Sequence, residues 1–191
     1  MLANDPLPAP RGRVVFIMGR SIHMLETTAN AITQFNRKAG EWFSLLMLPM
    51  LFVAVYEVFM RYAFNAPTTW GFELTIFIYG VHFILGYSYT DAYDGHVRVD
   101  VFSSRLRPRN KAVLEIVTLL LIFFPFMTLM TIFAGKFAFL SASMKELAST
   151  SWAPPIWPVK ILMVVGFMLL WLQGLANLLR NLHIALKATA D

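Results

Sequence analysis

The chain has 191 residues, of which 58% are hydrophobic and only 14% charged, with a net charge of +5 and a mean hydropathy of +0.60. A soluble domain carries roughly 45–50% apolar and about 25% charged residues, so a soluble enzyme or a nucleic-acid binder is a poor fit. Cysteine is absent, which excludes disulfides, thiolate metal sites and cysteine nucleophiles.

The opening "MLANDPLPAP" is proline-rich and has no apolar period, so residues 1–12 read as a disordered N-terminus. The basic "RGRVVFIMGR" that follows has too short an apolar core for a signal peptide, and no small-residue cleavage site comes after it. Over residues 13–38, Val14, Met18, Ile22, Leu25, Ala29 and Ile32 recur at spacings of three and four. Arg13, Arg20, Glu26, Asn30 and Gln34 fall largely off that face. The pattern predicts an amphipathic helix, either flat in the inner membrane interface with its basic residues on phospholipid headgroups, or packed on protein.

Residues 40–182 hold four apolar runs, each long enough for a bilayer crossing of about 20 residues. They are Trp42–Met60, about Trp70–Tyr89, Ala112 to about Phe139, and about Ile156–Leu179. Irregular backbone cannot face lipid, so the fold class is all-α: four transmembrane helices plus the N-terminal amphipathic helix. Pro49 and Pro125 predict kinks, because proline lacks the N–H and crowds the preceding turn. Residues 183–191 are left as a short tail.

Basic residues set the orientation. With the N-terminus inside, only Arg61, Lys136, Lys145 and Lys160 of the 16 lysines and arginines fall outside. Both termini are then cytoplasmic. Trp70, Trp152 and Trp157 gather at the outer interface and Trp42 at the inner one, where tryptophan belongs. The positive charge therefore serves topology and anionic lipid, not nucleic acid.

Few groups within the spans can carry chemistry. Glu57 and Arg61, four apart, can pair on one helix face. Glu73 can share Arg61 across the short loop, in which Asn65 and Pro67 shape the turn and Trp70 anchors the next helix. His82 lacks a second histidine at matching depth for haem and reads as a hydrogen-bonded packing residue. Asp91, Asp94, His96 and Asp100 are crowded by arginines that would repel a cation. No phosphate loop or nucleophile elbow is present, so no catalytic residue, cofactor or metal is assigned. Polar residues along a transport path are not evident either. Gly80, Gly86 and Ser88 on the second span would let a partner helix approach closely.

Two connections remain. "YDGHVRVDVFSSRLRPRNK" reads as a cytoplasmic turn, with His96, Arg98, Asp100, Arg105, Arg107 and Arg109 bonding within it and to phospholipid. "SASMKELASTSWAPPIWP" lies outside. There Ser149, Thr150 or Ser151 is a candidate cap and the prolines fix the entry to the last helix. This loop either touches a partner or simply connects.

"RYAFNAPTTWGFE", Arg61–Glu73, resembles the junction after the first span in the small membrane subunit of TRAP (tripartite ATP-independent periplasmic) transporters, the DctQ-like family. Members read approximately R-Y-x-F-N, a short gap, W, then an acidic residue. "HVRVD", His96–Asp100, resembles the family's second landmark, before a basic turn. The resemblance covers about residues 40–182 and departs in a single Glu73 where many members carry an acidic pair. It implies a tripartite secondary transporter for organic acids or similar solutes. A periplasmic solute-binding protein captures the solute, and a large membrane subunit moves it by a sodium-driven elevator motion. The small subunit would brace that large partner as a static scaffold and membrane anchor in the bacterial inner membrane. Glu57, Arg61, Asn65, Pro67, Trp70, Glu73, Gly80 and Gly86 would then serve structure and the partner interface. The competing readings are an independent small transporter or channel, and a respiratory-type membrane subunit.

Overall fold

The computed structural model describes residues 11–93, 95 and 106–190, with side chains from Met24 onward except those of Pro108 and of 188–190. The expected disordered segment lies almost wholly outside the described residues, as do His96, Arg98, Asp100 and Arg105. Six α-helices account for nearly all of the described chain: α1 (Arg11–Ser44), α2 (Met47–Ala63), α3 (Gly71–Ala92), α4 (Pro108–Thr118), α5 (Phe124–Ser143) and α6 (Trp157–Ala190). A π-helical turn, Leu119–Phe123, joins α4 to α5 without interruption. Four stretches are long and apolar enough to cross a membrane: Met24–Ala63, Gly71–Ala92, Arg109–Ser143 and Trp157–Lys187.

Both prolines interrupt the regular α-helical ladder, each in its own form. Pro49 has no N–H, and its ring crowds the Leu45 carbonyl, so the regular ladder cannot pass. The helix breaks at Leu45–Leu46, where the N–H groups of Leu45 and Leu46 donate to the Trp42 and Phe43 carbonyls at 3.2 and 3.1 Å. The Leu45 carbonyl accepts from Leu48 instead, at 3.1 Å. His82 Nδ1 lies 3.2 Å from the Phe43 carbonyl at the same break, so that nitrogen carries the hydrogen. His82 is a hydrogen-bonded packing residue, as its isolation in the sequence predicts. At Pro125 the chain inserts the wide turn Leu119–Phe123 and restarts as α5 with proline in its first turn, where no N–H partner is required.

The amphipathic helix does not end near residue 38. It runs on to Ser44, and its described buried face is Ala29, Thr33, Asn36 and Gly40, packed on α3 and α6. Packing on protein therefore holds for its C-terminal half. The reason is steric: Gly40 leaves room only for the Tyr89 ring, which fills the space a Cβ would need. The predicted tail is likewise helical, since α6 continues to Ala190. At 34 residues and 1.5 Å each, α6 is about 50 Å long, well beyond a hydrocarbon core of about 30 Å.

The principal contacts place the helices in a row rather than a closed bundle. α2 packs on α3, α3 on α6 and α6 on α5, while α1 lies against α3 and α6, and α4 against α6. α6 is the hub. Gly166 lets α3 and α6 meet backbone to side, since an added Cβ would stand 2.9 Å from the Ile84 carbonyl oxygen. Val81, Leu85 and Leu169 form the small apolar core there, with Phe43 and Leu46 from the broken turn packed against it. A row has two broad faces, so most large apolar side chains of α2 and α5 point outward. Lipid tails solvate such faces as well as a protein core would, so in a membrane that exposure is not a penalty.

Candidate functional site

Two polar constructions tie the row together, one at the α2–α3 turn and one where α1 crosses α3 and α6. At the first, Ala63 ends α2 and the chain must return into α3 within a few residues. Asn65 takes a left-handed φ of 49°, which asparagine tolerates better than most side chains. Glu57 is the hub of this turn. Its Oε1 accepts from Arg61 Nη2 at 2.8 Å, and its Oε2 accepts both from the Thr68 N–H, at 3.2 Å, and from the Thr68 hydroxyl. The same hydroxyl accepts from the Gly71 N–H at 3.1 Å, so the carboxylate reaches the first residue of α3 through one intermediary. Gly71 is required there, because a Cβ would stand 2.5 Å from Thr68 Oγ1 and 2.8 Å from Glu57 Oε2. Trp70 stacks on Tyr56 with ring centroids 5.8 Å apart, fixing α3 against α2.

Sequence spacing identifies the Glu57–Arg61 pair correctly, but not its weighting. The Glu57 side chain is 9% exposed and that of Arg61 51%, so the carboxylate is the buried partner and Thr68 satisfies half of it. The expectation that Glu73 shares Arg61 is not met. Glu73 Oε2 accepts from the Thr150 hydroxyl at 2.8 Å, which ties α3 to the α5–α6 loop. Thr150 is thereby engaged away from the start of α6 and does not cap it. The loop closes on itself: Ala148 N–H donates to Pro154 at 2.8 Å, Ile156 N–H donates to Glu146 at 3.1 Å, and Leu147 bridges Pro155. Lys145 and Ala153 hold left-handed backbone at its corners, φ 48° and 49°. Glu146 pairs with Lys160, whose ammonium also lies 3.8 Å from the Phe137 ring centroid. The Lys160 hydrogen bond, above all, holds the Glu146 carboxyl below its ordinary range.

The second construction is a buried polar seam. Asn36 is fully buried, and its Nδ2 donates to Gln173 Oε1 at 2.9 Å and to the Leu169 carbonyl at 3.2 Å. Gln173 Nε2 reaches Thr33 Oγ1 at 3.4 Å and Asn177 Oδ1 at 3.5 Å. Asn177 Nδ2 donates to Asp91 Oδ2 at 2.8 Å, and Arg180 Nη2 to Thr33 Oγ1 at 3.3 Å. Arg37 donates to the Ala92 carbonyl at the end of α3, at 2.9 Å, and stacks over Tyr93 at 4.2 Å. Within this seam, Asn36 Oδ1 is buried without a donor. The spans are thus not free of polar groups. Gln173 and Asn177, four apart within the last apolar run, are the signal that identifies the seam, since buried polar groups in a span are retained for packing or function. They pass unnoticed in a search limited to ionisable residues.

The remaining sequence candidates scatter. Gly80 and Gly86 are open, with nothing within 4 Å of an added Cβ, whereas Ser88 is buried inside the chain and donates to Leu85, so it meets no partner helix. Arg107 and Arg109 are exposed at the start of α4, with Arg107 in the extended conformation that Pro108 imposes.

Residues 50–183 match the family model described as tripartite ATP-independent periplasmic transporters, DctQ component. The chain belongs to this family. It is a small membrane subunit of a TRAP transporter, a multi-pass membrane protein and a transport component rather than an enzyme. Membership implies partnership with a large membrane subunit and a binding protein. A comparison with curated proteins found no match. The matched region takes in the Glu57 turn and the α3 and α6 sides of the seam, while α1, with Asn36, precedes it.

Proposed function

We propose that this DctQ subunit is the static brace of a sodium-coupled TRAP transporter for organic acids or similar solutes, held in the bacterial inner membrane with both termini cytoplasmic. The observation that carries the reading is the disposition of polar side chains. Among the described residues, Asn36, Gln173 and Glu57 are buried and bonded to other elements of the same chain, not arrayed along an opening. Groups used in this way lock helices to one another and are themselves unavailable to a moving solute. A row of four spans fixed at both ends resists tilting, which a stationary scaffold beside an elevator requires. The basic residues at the start of α4 and along the α1 side serve anionic headgroups. On the opposite side, the closed 145–156 loop offers exposed Leu147 to the transient visit of the binding protein.

Co-expression with the large membrane subunit of the same transporter tests the proposal. A stable one-to-one complex recovered through a tag on this chain is the expected result. Recovery of this chain alone, under conditions that keep the large subunit folded, contradicts it.

A further inference from the structure

One outward face of α3 carries an aromatic stripe beside an open glycine. Phe72, Ile76, Tyr79, Phe83 and Tyr87 recur at spacings of three and four, and all are exposed, with Gly80 beside them. α1 and α2 cover one side of α3, and α6 covers another, so this stripe is what its own chain leaves open. α3 has 22 residues, about 33 Å, close to the hydrocarbon thickness, and Tyr79 sits in its third turn, inside the apolar layer. Tyr79 is 51% exposed, its ring lies tilted against Phe83 with centroids 4.3 Å apart, and no hydrogen bond within the described residues reaches its hydroxyl.

Acyl chains offer a phenol no acceptor, and tyrosine otherwise favours the interfacial belts where water and headgroups do. Phe52 on α2 and Phe133 on α5 are hydrocarbon throughout, a lysine such as Lys136 can extend its amine to the interface, and of the exposed tyrosines on α2, Tyr62 lies in its last turn and Tyr56 stacks on Trp70 at the α2–α3 turn. Gly80 adds a second, steric requirement. An added Cβ there meets nothing within 4 Å, so another backbone can come close beside the phenol.

We propose that this face of α3 is where the large membrane subunit docks, with one of its helices crossing at Gly80 and supplying a carbonyl or polar side chain as acceptor to the Tyr79 hydroxyl. The proposal rests on the subunit reading above and specifies its interface. A lipid or a second copy of this chain would leave one of the two requirements unmet. Lipid has no acceptor at that depth, and the same face of a second copy would bring another phenol needing an acceptor of its own.

The test uses the co-expressed pair, with a photoreactive benzoylphenylalanine placed singly at Phe83, Phe52 or Phe133. Crosslinking of Phe83 to the large subunit, with little from the other two, is expected. Gly80→Trp should then reduce co-purified large subunit by roughly tenfold, and Tyr79→Phe by about three- to tenfold, the range for one interhelical hydrogen bond. The isolated Gly80→Trp chain should keep its helicity and monomeric elution, because its own structure has room. A complex that forms but crosslinks through Phe52 or Phe133, or a Phe83 probe that labels only lipid or a second copy, overturns this interface and leaves the subunit reading intact. Failure of the wild-type pair to form any complex overturns the subunit reading itself.

Discussion

Asn36 Nδ2 stands 2.9 Å from Gln173 Oε1, an amide-to-amide bond that joins α1 to α6 across 137 positions of sequence. Both side chains are fully buried, so neither has water as an alternative partner. The bond, with its neighbours Thr33, Asn177 and Asp91, makes α1 part of the membrane domain rather than an appended arm.

Replacing Asn36 by leucine leaves the Gln173 carbonyl oxygen buried without its donor, and should cost about 1–3 kcal/mol of stability. Gln173→Leu should cost a similar amount. The double variant should cost less than the sum, since no half-satisfied amide remains. Unfolding in graded denaturing detergent, read as a double-mutant cycle, measures this, and strictly additive losses would contradict the direct bond.

At the α2–α3 turn the burial of Glu57 and the exposure of Arg61 set an order of effects. Arg61→Ala removes one exposed donor, and Thr68 still supplies two hydrogen bonds to the carboxylate. Glu57→Ala strands Arg61 and both Thr68 donors, so it should lower the melting temperature of the subunit more than Arg61→Ala does. Thr68→Val should fall between them. Equal effects of Glu57→Ala and Arg61→Ala would show that the ion pair, not the Thr68 linkage, holds the turn.

Much of this was legible in the sequence and some was not, for physical reasons. The four spans follow from apolar runs of sufficient length, and both interruptions of the helical ladder from Pro49 and Pro125, because these are local consequences of composition. The Glu57–Arg61 pair follows from its four-residue spacing. Thr68 does not, because only the left-handed Asn65 brings it back over the end of α2. The seam is less legible still: Asn36 lies on a helix read as interfacial, and its partners lie far along the chain. Sequence proximity pairs Glu73 with the nearest cation, whereas folding brings Thr150, 77 positions away, within 2.8 Å.

The Glu146–Lys160 pair predicts a pH response of the α5–α6 loop. The folded carboxyl titrates below its ordinary value of 4.5, so the unfolded or opened loop binds protons more readily. The pair's contribution is complete above about 4.5 and is lost as pH falls from there through the lower folded value. Proteolysis of the 145–156 loop should therefore accelerate as pH drops below that point. In Lys160→Gln the loop should be cleaved faster already above that point, and the acid-induced acceleration should shrink. An unchanged pH profile would show that the pair does not hold the loop.

Orientation is open to direct chemical measurement, since the chain has no native thiol. A single cysteine at Ser103 should react with membrane-permeant maleimide and stay protected from an impermeant reagent added to intact cells from the periplasmic side. A cysteine at Ser149 should show the reverse. Labelling of the Ser103 variant from outside would invert the topology set by the basic residues.

As the proposed brace, this subunit should move no solute by itself. Solute uptake into proteoliposomes tests it most directly, with binding protein, solute and an inward sodium gradient supplied throughout. Vesicles holding this chain alone should show no sodium-dependent uptake, and those holding it together with the large subunit should. Sodium-dependent accumulation by this chain alone would contradict the claim.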